Sequence, residues 1–237
     1  MLKLQFLLKQ LFGMALILLP LTTTEAAPNK ISMPRAAVPA CEPFIAWTAG
    51  GNVVQDYYQP IDRHYVYLVE IGHFTGEHGE KGFEGLWGKQ HWKYIWGDMK
   101  YVLNKIPNHP GALRRLIGFD KIYHELSYDD IIQRFECAIQ WNKKIPDTYV
   151  IYGVHLHRSG KINEAILQYE QAIKLRPKYA EAHYNLGLAY VASGEIAKAE
   201  HHARIAYELG FPLPGLKNKL KRIEENNETA PPVAPAK

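Results

Sequence analysis

The side chains that could carry chemistry gather in the first half of the chain. Of its 11 histidines, His64, His73, His78 and His91 fall in one stretch, with His73 and His78 flanking Thr75-Gly76-Glu77. A zinc site needs three or four nitrogen, oxygen or sulfur ligands converging tetrahedrally. The spacings that announce one, HExxH or CxxC, are absent. The adjacent pair His201-His202 points to different faces of a helix. No metal or cofactor ligand is assigned. Glu70, Glu77, Glu80 and Glu84 share the same stretch without forming a discernible acid/base pair, although glycosidase pairs are assembled in space rather than in sequence. Trp87, Trp92 and Trp96 cluster there, with Trp92 and Trp96 at i, i+4, while Trp47 precedes them and Trp141 ends a later helical stretch. Such a stripe is ordinarily core, and otherwise an aromatic patch for carbohydrate or peptide. There is no GxSxG, no phosphate-binding glycine loop and no cysteine in a His-activated context, so no catalytic residue is assigned.

Two cysteines, Cys41 and Cys137, complete the chemical inventory. Their meaning depends on compartment. Residues 1–26 read as a secretory signal peptide: Lys3 and Lys9 form a positive n-region, and Leu11 to Leu21 is an apolar run too short to span a bilayer. Thr24 and Ala26 place small residues at −3 and −1, so cleavage is expected after Ala26. Loss of Lys3, Lys9 and Glu25 takes the formal charge from +4 to +3. No transmembrane segment is expected after cleavage. In an oxidising compartment two thiols tend to pair, which makes Cys41–Cys137 a candidate disulfide. Otherwise Cys137 is a small buried hydrophobe on a helix. The slight charge and short basic cluster Lys217, Lys219, Lys221, Arg222 give no nucleic-acid footprint.

The elements that must position these groups are mostly helical. Residues 27–40 are Pro-containing and aperiodic, a linker. Residues 41–81 read as an irregular N-terminal segment, with one short strand at His64 to Ile71. From residue 82 to 145 helical stretches dominate: Asp98 to Ile106, with Met99, Val102, Leu103 and Ile106 in a stripe; Gly111 to His124; and Tyr128 to Asn142. Pro214 to Glu225 reads as an amphipathic capping helix, and residues 226–237 as a disordered tail.

Between these lie two copies of one pattern. Residues 146–179 and 180–213 repeat with Gly153/Gly187, Ser159/Ser193, Gly160/Gly194, Ile162/Ile196, Ala165/Ala199, Ala172/Ala206 and Leu175/Leu209 identical. A period of about 34 residues with these small residues resembles the tetratricopeptide repeat (TPR), a helix–turn–helix unit. Glycine inside a helix costs about 1 kcal/mol relative to Ala, so Gly153 and Gly187 imply close helix contact. Gly160 and Gly194 sit where the turn needs positive φ. Tyr149, Leu156, Tyr169 and Tyr190 fill the space between paired helices. Two repeats are too few for independent stability, so residues 111–142 are read as a degenerate third, with Phe135 and Ala138 in the places of Tyr169 and Ala172. The expected fold is mainly α: a TPR-type solenoid of about three to four helix pairs.

The resemblance extends beyond the repeat. Cys-x-Pro at Cys41, Val69-Glu70 with His73-Phe74-Thr75, Gly97-Asp98, Pro107-Asn108-His109 and the run Ala206 to Leu216 (AYELGFPLPGL) are similar to a group of exported bacterial TPR proteins. That resemblance implies a periplasmic or secreted protein and brings no activity with it. It also supports a bonded Cys41.

In a TPR array the concave face is lined by the first helix of each pair. By the family pattern its positions here are Val150, Val154, His157 and Arg158, then Tyr184, Asn185, Leu188 and Val191. Val150 and Val154 stand where a carboxylate-clamp TPR has Lys and Asn, although Asn185 matches. The mostly apolar lining suits a helical or apolar segment of a protein partner, unless the chain's own residues 41–77 cover it. The expected function is thus a non-enzymatic scaffold of the cell envelope. The alternative is an envelope enzyme or carbohydrate-binding protein drawing on Trp, Glu and His residues of 41–100.

Overall fold

A computed structural model describes Gln55, Tyr57 to Pro60, Arg63 and residues 92–229. The signal peptide, the linker, Cys41, the strand at His64 to Ile71, and His64, His73, His78, His91, Trp47, Trp87 and the four glutamates lie outside the described residues. Within them the chain is a mainly-α solenoid of eight helices and one 3-10 turn. The helices are α1 (Trp92–Lys105), α2 (Pro110–Leu116), α3 (Tyr128–Trp141), α4 (Pro146–Arg158), α5 (Ile162–Leu175), α6 (Ala180–Ser193), α7 (Ile196–Glu208) and α8 (Gly215–Thr229). The 3-10 turn, Phe119–Lys121, sits between α2 and α3.

Local chemistry sets the boundaries. Pro110 opens α2, where its missing N–H costs nothing, and His109 Nδ1 accepts from Ala112 N at 3.1 Å. The run from Gly111 to His124 is not one helix. Gly118 takes φ 76°, a left-handed conformation that ends α2 after seven residues and starts the 3-10 turn. Ser127 and Asp130 form a reciprocal capping box at the start of α3. Helix α1 begins at Trp92, six residues before the stripe that starts at Asp98. Helix α8 runs to Thr229, so the first four residues of the expected tail are helical.

Pairs α4/α5 and α6/α7 are the two full repeats, and α6 also packs on α5. The small residues do what their spacing implies. A Cβ on Gly153 would lie 2.5 Å from Tyr169 Cε1, and one on Gly187 would lie 2.5 Å from Leu216 Cδ2. Tyr169, Ala165, Ala172 and Ala199 are fully buried. One continuous core runs from Ile95 to Ala199. In it Phe135 of α3 stacks on Tyr152 of α4 with centroids 5.1 Å apart. Burying such a ring contributes roughly 2–3 kcal/mol, so Phe135→Ala would unpick the joint between α3 and the first full repeat.

Both ends of the array are covered. At the first, Gln55 N donates to Lys105 O at 2.7 Å, Tyr57 N donates to Asn108 Oδ1 at 2.9 Å, and the Tyr57 ring meets His109 edge-on. At the other, Leu216 of α8 is fully buried in a small cluster with Tyr184, Ala203 and Ala206. Tyr207 Oη joins the link to α8, donating to Leu213 O and accepting from Lys217 N, one of the helix's otherwise unpaired first N–H groups.

Candidate protein-binding site

Helices α2, α4 and α6 present a common face. Arg114 of α2 reaches Glu181 of α6 across α4 with two bonds, at 3.0 and 3.3 Å. Beneath that tie, Asp147 of α4 accepts from Arg176 at 3.0 Å and from Tyr179 Oη at 2.8 Å. Asp147 and Glu181 hold the same position in consecutive repeats, 34 residues apart, a regularity in the sequence that would have revealed this acidic edge. Tyr58 lies at the same edge. Burial, then the Asp147 carboxylate, push its phenol well above the usual tyrosine range.

The eight expected groove positions divide. Val154, His157, Asn185, Leu188 and Val191 are half-buried and Arg158 is exposed. Val150 and Tyr184 are corrections: they are 0% and 7% exposed and form part of the core. Val150 lies one turn beyond Asp147, where α2 packs against α4. Tyr184 is held by Phe211, with ring centroids 4.3 Å apart, and by the start of α8, where a Cβ on Gly215 would be 2.8 Å from its hydroxyl. Asn185 Nδ2 donates back to Glu181 O of its own helix.

Charge enters this face from outside the repeats. Burial and then the Lys219 ammonium of α8 hold His157 below the ordinary histidine range. Beyond Arg158 the face runs into a pocket of about 440 Å³ between the end of α2, the 3-10 turn and the end of α4. Its basic lining residues are Arg114, Arg115, Lys121 and Arg158, and it has no acidic one.

His183 of α6 and His202 of α7 form a pair. His183 Nε2 is 3.0 Å from Pro177 O, an acceptor only, so that nitrogen donates. His183 Nδ1, 2.9 Å from His202 Nδ1, then accepts. Burial, followed by His183 and His201, lowers His202 to about 4. Among the described residues no group of three or more His, Cys, Asp or Glu side chains is placed to hold a metal ion. Trp96 is half-buried, its ring 6.2 Å from Phe119. Cys137 is 2% exposed on α3, and there is no free cysteine among the described residues. No described helix is long and apolar enough to cross a membrane.

Comparison with known proteins finds a repeat-family match and a similar solved structure. No curated protein matches the sequence. Among solved structures, the crystal structure of MamA is similar at 22% identity and a TM-score of 0.47, over 61% of this chain and 84% of that one. The chain carries tetratricopeptide repeats: the TPR repeat family model matches residues 153–194, from the glycine inside α4 to the glycine that closes α6.

Proposed function

We propose that the protein is a non-enzymatic interaction scaffold of the bacterial cell envelope, holding a segment of a protein partner on the face shared by α4, α6 and α8. The observation that carries the reading is the half-buried apolar row Val154, Leu188 and Val191 on the first helices of two TPR units. Apolar surface held on a rigid scaffold is the usual mark of an interaction site. The test is a crosslinked pull-down from the native envelope with Val154→Glu and Leu188→Glu. Each places an unpaired charge in the contact. Partner recovery should fall sharply while the melting temperature changes little; unchanged recovery removes this face as the site.

The envelope setting rests on the N-terminal sequence: the charged n-region, the short apolar run and the small residues before Ala27. Intact-mass measurement of the exported protein should give a chain lacking residues 1–26, and a chain retaining Met1 refutes it. Within that setting Cys41 and Cys137 form a disulfide joining the N-terminal segment to α3. Closing a loop of roughly 95 residues stabilises by up to about 4–5 kcal/mol in the chain-entropy account. Two thiols alkylated in the native, unreduced protein would rule the bond out.

A further inference from the structure

We propose that His183 and His202 form an acid-operated latch between α6 and α7, which holds the second repeat closed near neutral pH and releases it in acid. The latch is read from this chain alone. Only its use, as regulation of the α6 face that carries Leu188 and Val191, rests on the scaffold reading above.

The geometry fixes how many protons the pair can carry. His183 Nε2 donates to Pro177 O at 3.0 Å, so that nitrogen keeps its proton. The two Nδ1 atoms face each other at 2.9 Å, a separation that holds one proton and not two. With His183 Nδ1 accepting, that proton sits on His202 Nδ1. A first proton added in acid goes to His202 Nε2 and leaves the bond intact. A second has to go to His183 Nδ1, where it sets N–H against N–H. The closed pair therefore carries at most one positive charge, whereas the parted rings carry two.

The surroundings do nothing to offset that charge. The His202 ring lies 5.2 Å from His183 and 5.6 Å from Tyr190, stacked on both, with His201 edge-on at 5.1 Å. On α7, Lys198 sits over the Tyr190 ring and pairs with Glu195. On α5, Glu170 accepts from Tyr190 Oη, and on α4 Asp147 is engaged by Arg176 and Tyr179. Helix α8 packs on both α6 and α7 and has no carboxylate before Glu224. Among the described residues neither ring of the pair is hydrogen-bonded to a carboxylate. Burial, then His183 and His201, lower His202 to about 4, so even the first added proton is resisted.

Position decides what the latch releases. His183 adjoins Tyr184 and His202 adjoins Ala203, two of the residues among which Leu216 of α8 is buried. Parting the rings loosens α6, α7 and their cap together. The first repeat fills the same two places without histidine. Tyr149 donates to Lys143 O as His183 donates to Pro177 O, and Gln168 stands where His202 does. The parted rings take up protons that the closed pair refuses. The latch is thus fully closed above the ordinary histidine value of about 6.5 and weakens as pH falls below it.

The test is hydrogen–deuterium exchange of the full-length chain at about pH 7.5 and about pH 5, corrected for intrinsic exchange, which reads local opening. Wild type is compared with His202→Gln and with His183→Tyr/His202→Gln. The glutamine amide either donates to His183 Nδ1 or accepts from it, so it suits both protonation states. The double variant reinstates the pair that already packs in the first repeat. Wild type should lose protection across α6, α7 and α8 by roughly thirtyfold at about pH 5, the factor for one withheld proton. Both variants should lose far less. Acid effects of the buried His109, His155 and His157 are common to all three proteins and cancel in the comparison. Equal loss in wild type and either variant overturns the latch, as does a wild type whose second repeat stays protected in acid. No partner enters the assay, so either result leaves the scaffold reading standing.

Discussion

Replacing Gly153 by Ala tests the packing logic of the repeat through the sign of its effect. On helix propensity alone the change stabilises by about 1 kcal/mol, because glycine has the greater freedom to lose. Here the new methyl would sit 2.5, 2.8 and 3.0 Å from Cε1, Cδ1 and Cζ of Tyr169. That ring is 0% exposed and walled in by the core, so it has little room to move aside. Overpacking of this kind costs about 1–3 kcal/mol, which leaves Gly153→Ala neutral to destabilising by about 2 kcal/mol. In the second repeat Ala203 occupies the place of Tyr169, and Leu216 of α8 fills the space beside Gly187 instead. In a Tyr169→Ala background, itself costing about 3–5 kcal/mol, Gly153→Ala should recover its ordinary gain of about 1 kcal/mol. Chemical denaturation of the four proteins gives the coupling energy, expected at about 1–3 kcal/mol. If Gly153→Ala stabilises equally in both backgrounds, the close approach does not govern this position.

Other expectations follow from particular groups. The Tyr169 hydroxyl is buried with no hydrogen-bond partner among the described residues, so Tyr169→Phe should be neutral or stabilise by up to about 1 kcal/mol; a loss above that in urea melts would show a partner. Burial lowers His109 from 6.5 to about 4, so the unfolded chain takes up this proton first. The associated stability is intact above the ordinary histidine pKa and is lost as pH falls toward 4, amounting to about 2.5 kcal/mol at pH ~4.5. His109→Asn keeps an oxygen acceptor for Ala112 N and should remove that part of the acid sensitivity; equal pH dependence in both proteins contradicts it. Leu216→Ala should cost about 2–4 kcal/mol and speed hydrogen exchange in α8 while α4 and α5 stay protected. Uniform loss of protection across the array would show that α8 does not open independently.

The repeat could be read directly because its signal is a set of small residues at fixed offsets, each tied to a local demand. Gly153 and Ala165 sit where helices touch, and Gly160 and Gly194 adopt φ 80° and 82° at the turns. What the pattern could not show is what leans on a repeat from outside. Val150 and Tyr184 carry the spacing of groove positions, yet α2 and α8 bring them into the core. Nothing in either repeat's own sequence records those neighbours. The break of α2 at Gly118 was hidden for a related reason, since apolar spacing continues through Phe119 and the interruption lies only in the backbone. Asp147 and Glu181 were the readable part of the site that went unread.

The bridge from Arg114 to Glu181 constrains motion more than it adds stability. Its side chains are 44% and 28% exposed, so it contributes at most about 1 kcal/mol. In a one-dimensional array each unit ordinarily feels only its immediate neighbours. This bond skips one, linking the first helices of alternate units near the start of α6. The opposite ends of α4 and α6, at Arg158 and Val191, have no such cross-tie among the described residues. A helix of 13 residues is about 20 Å long at 1.5 Å per residue, so a 10° splay about the tied edge opens the far edge by roughly 3.5 Å. The array therefore behaves like a fan pinned at its handle: its soft mode widens the basic edge and leaves the acidic edge almost still.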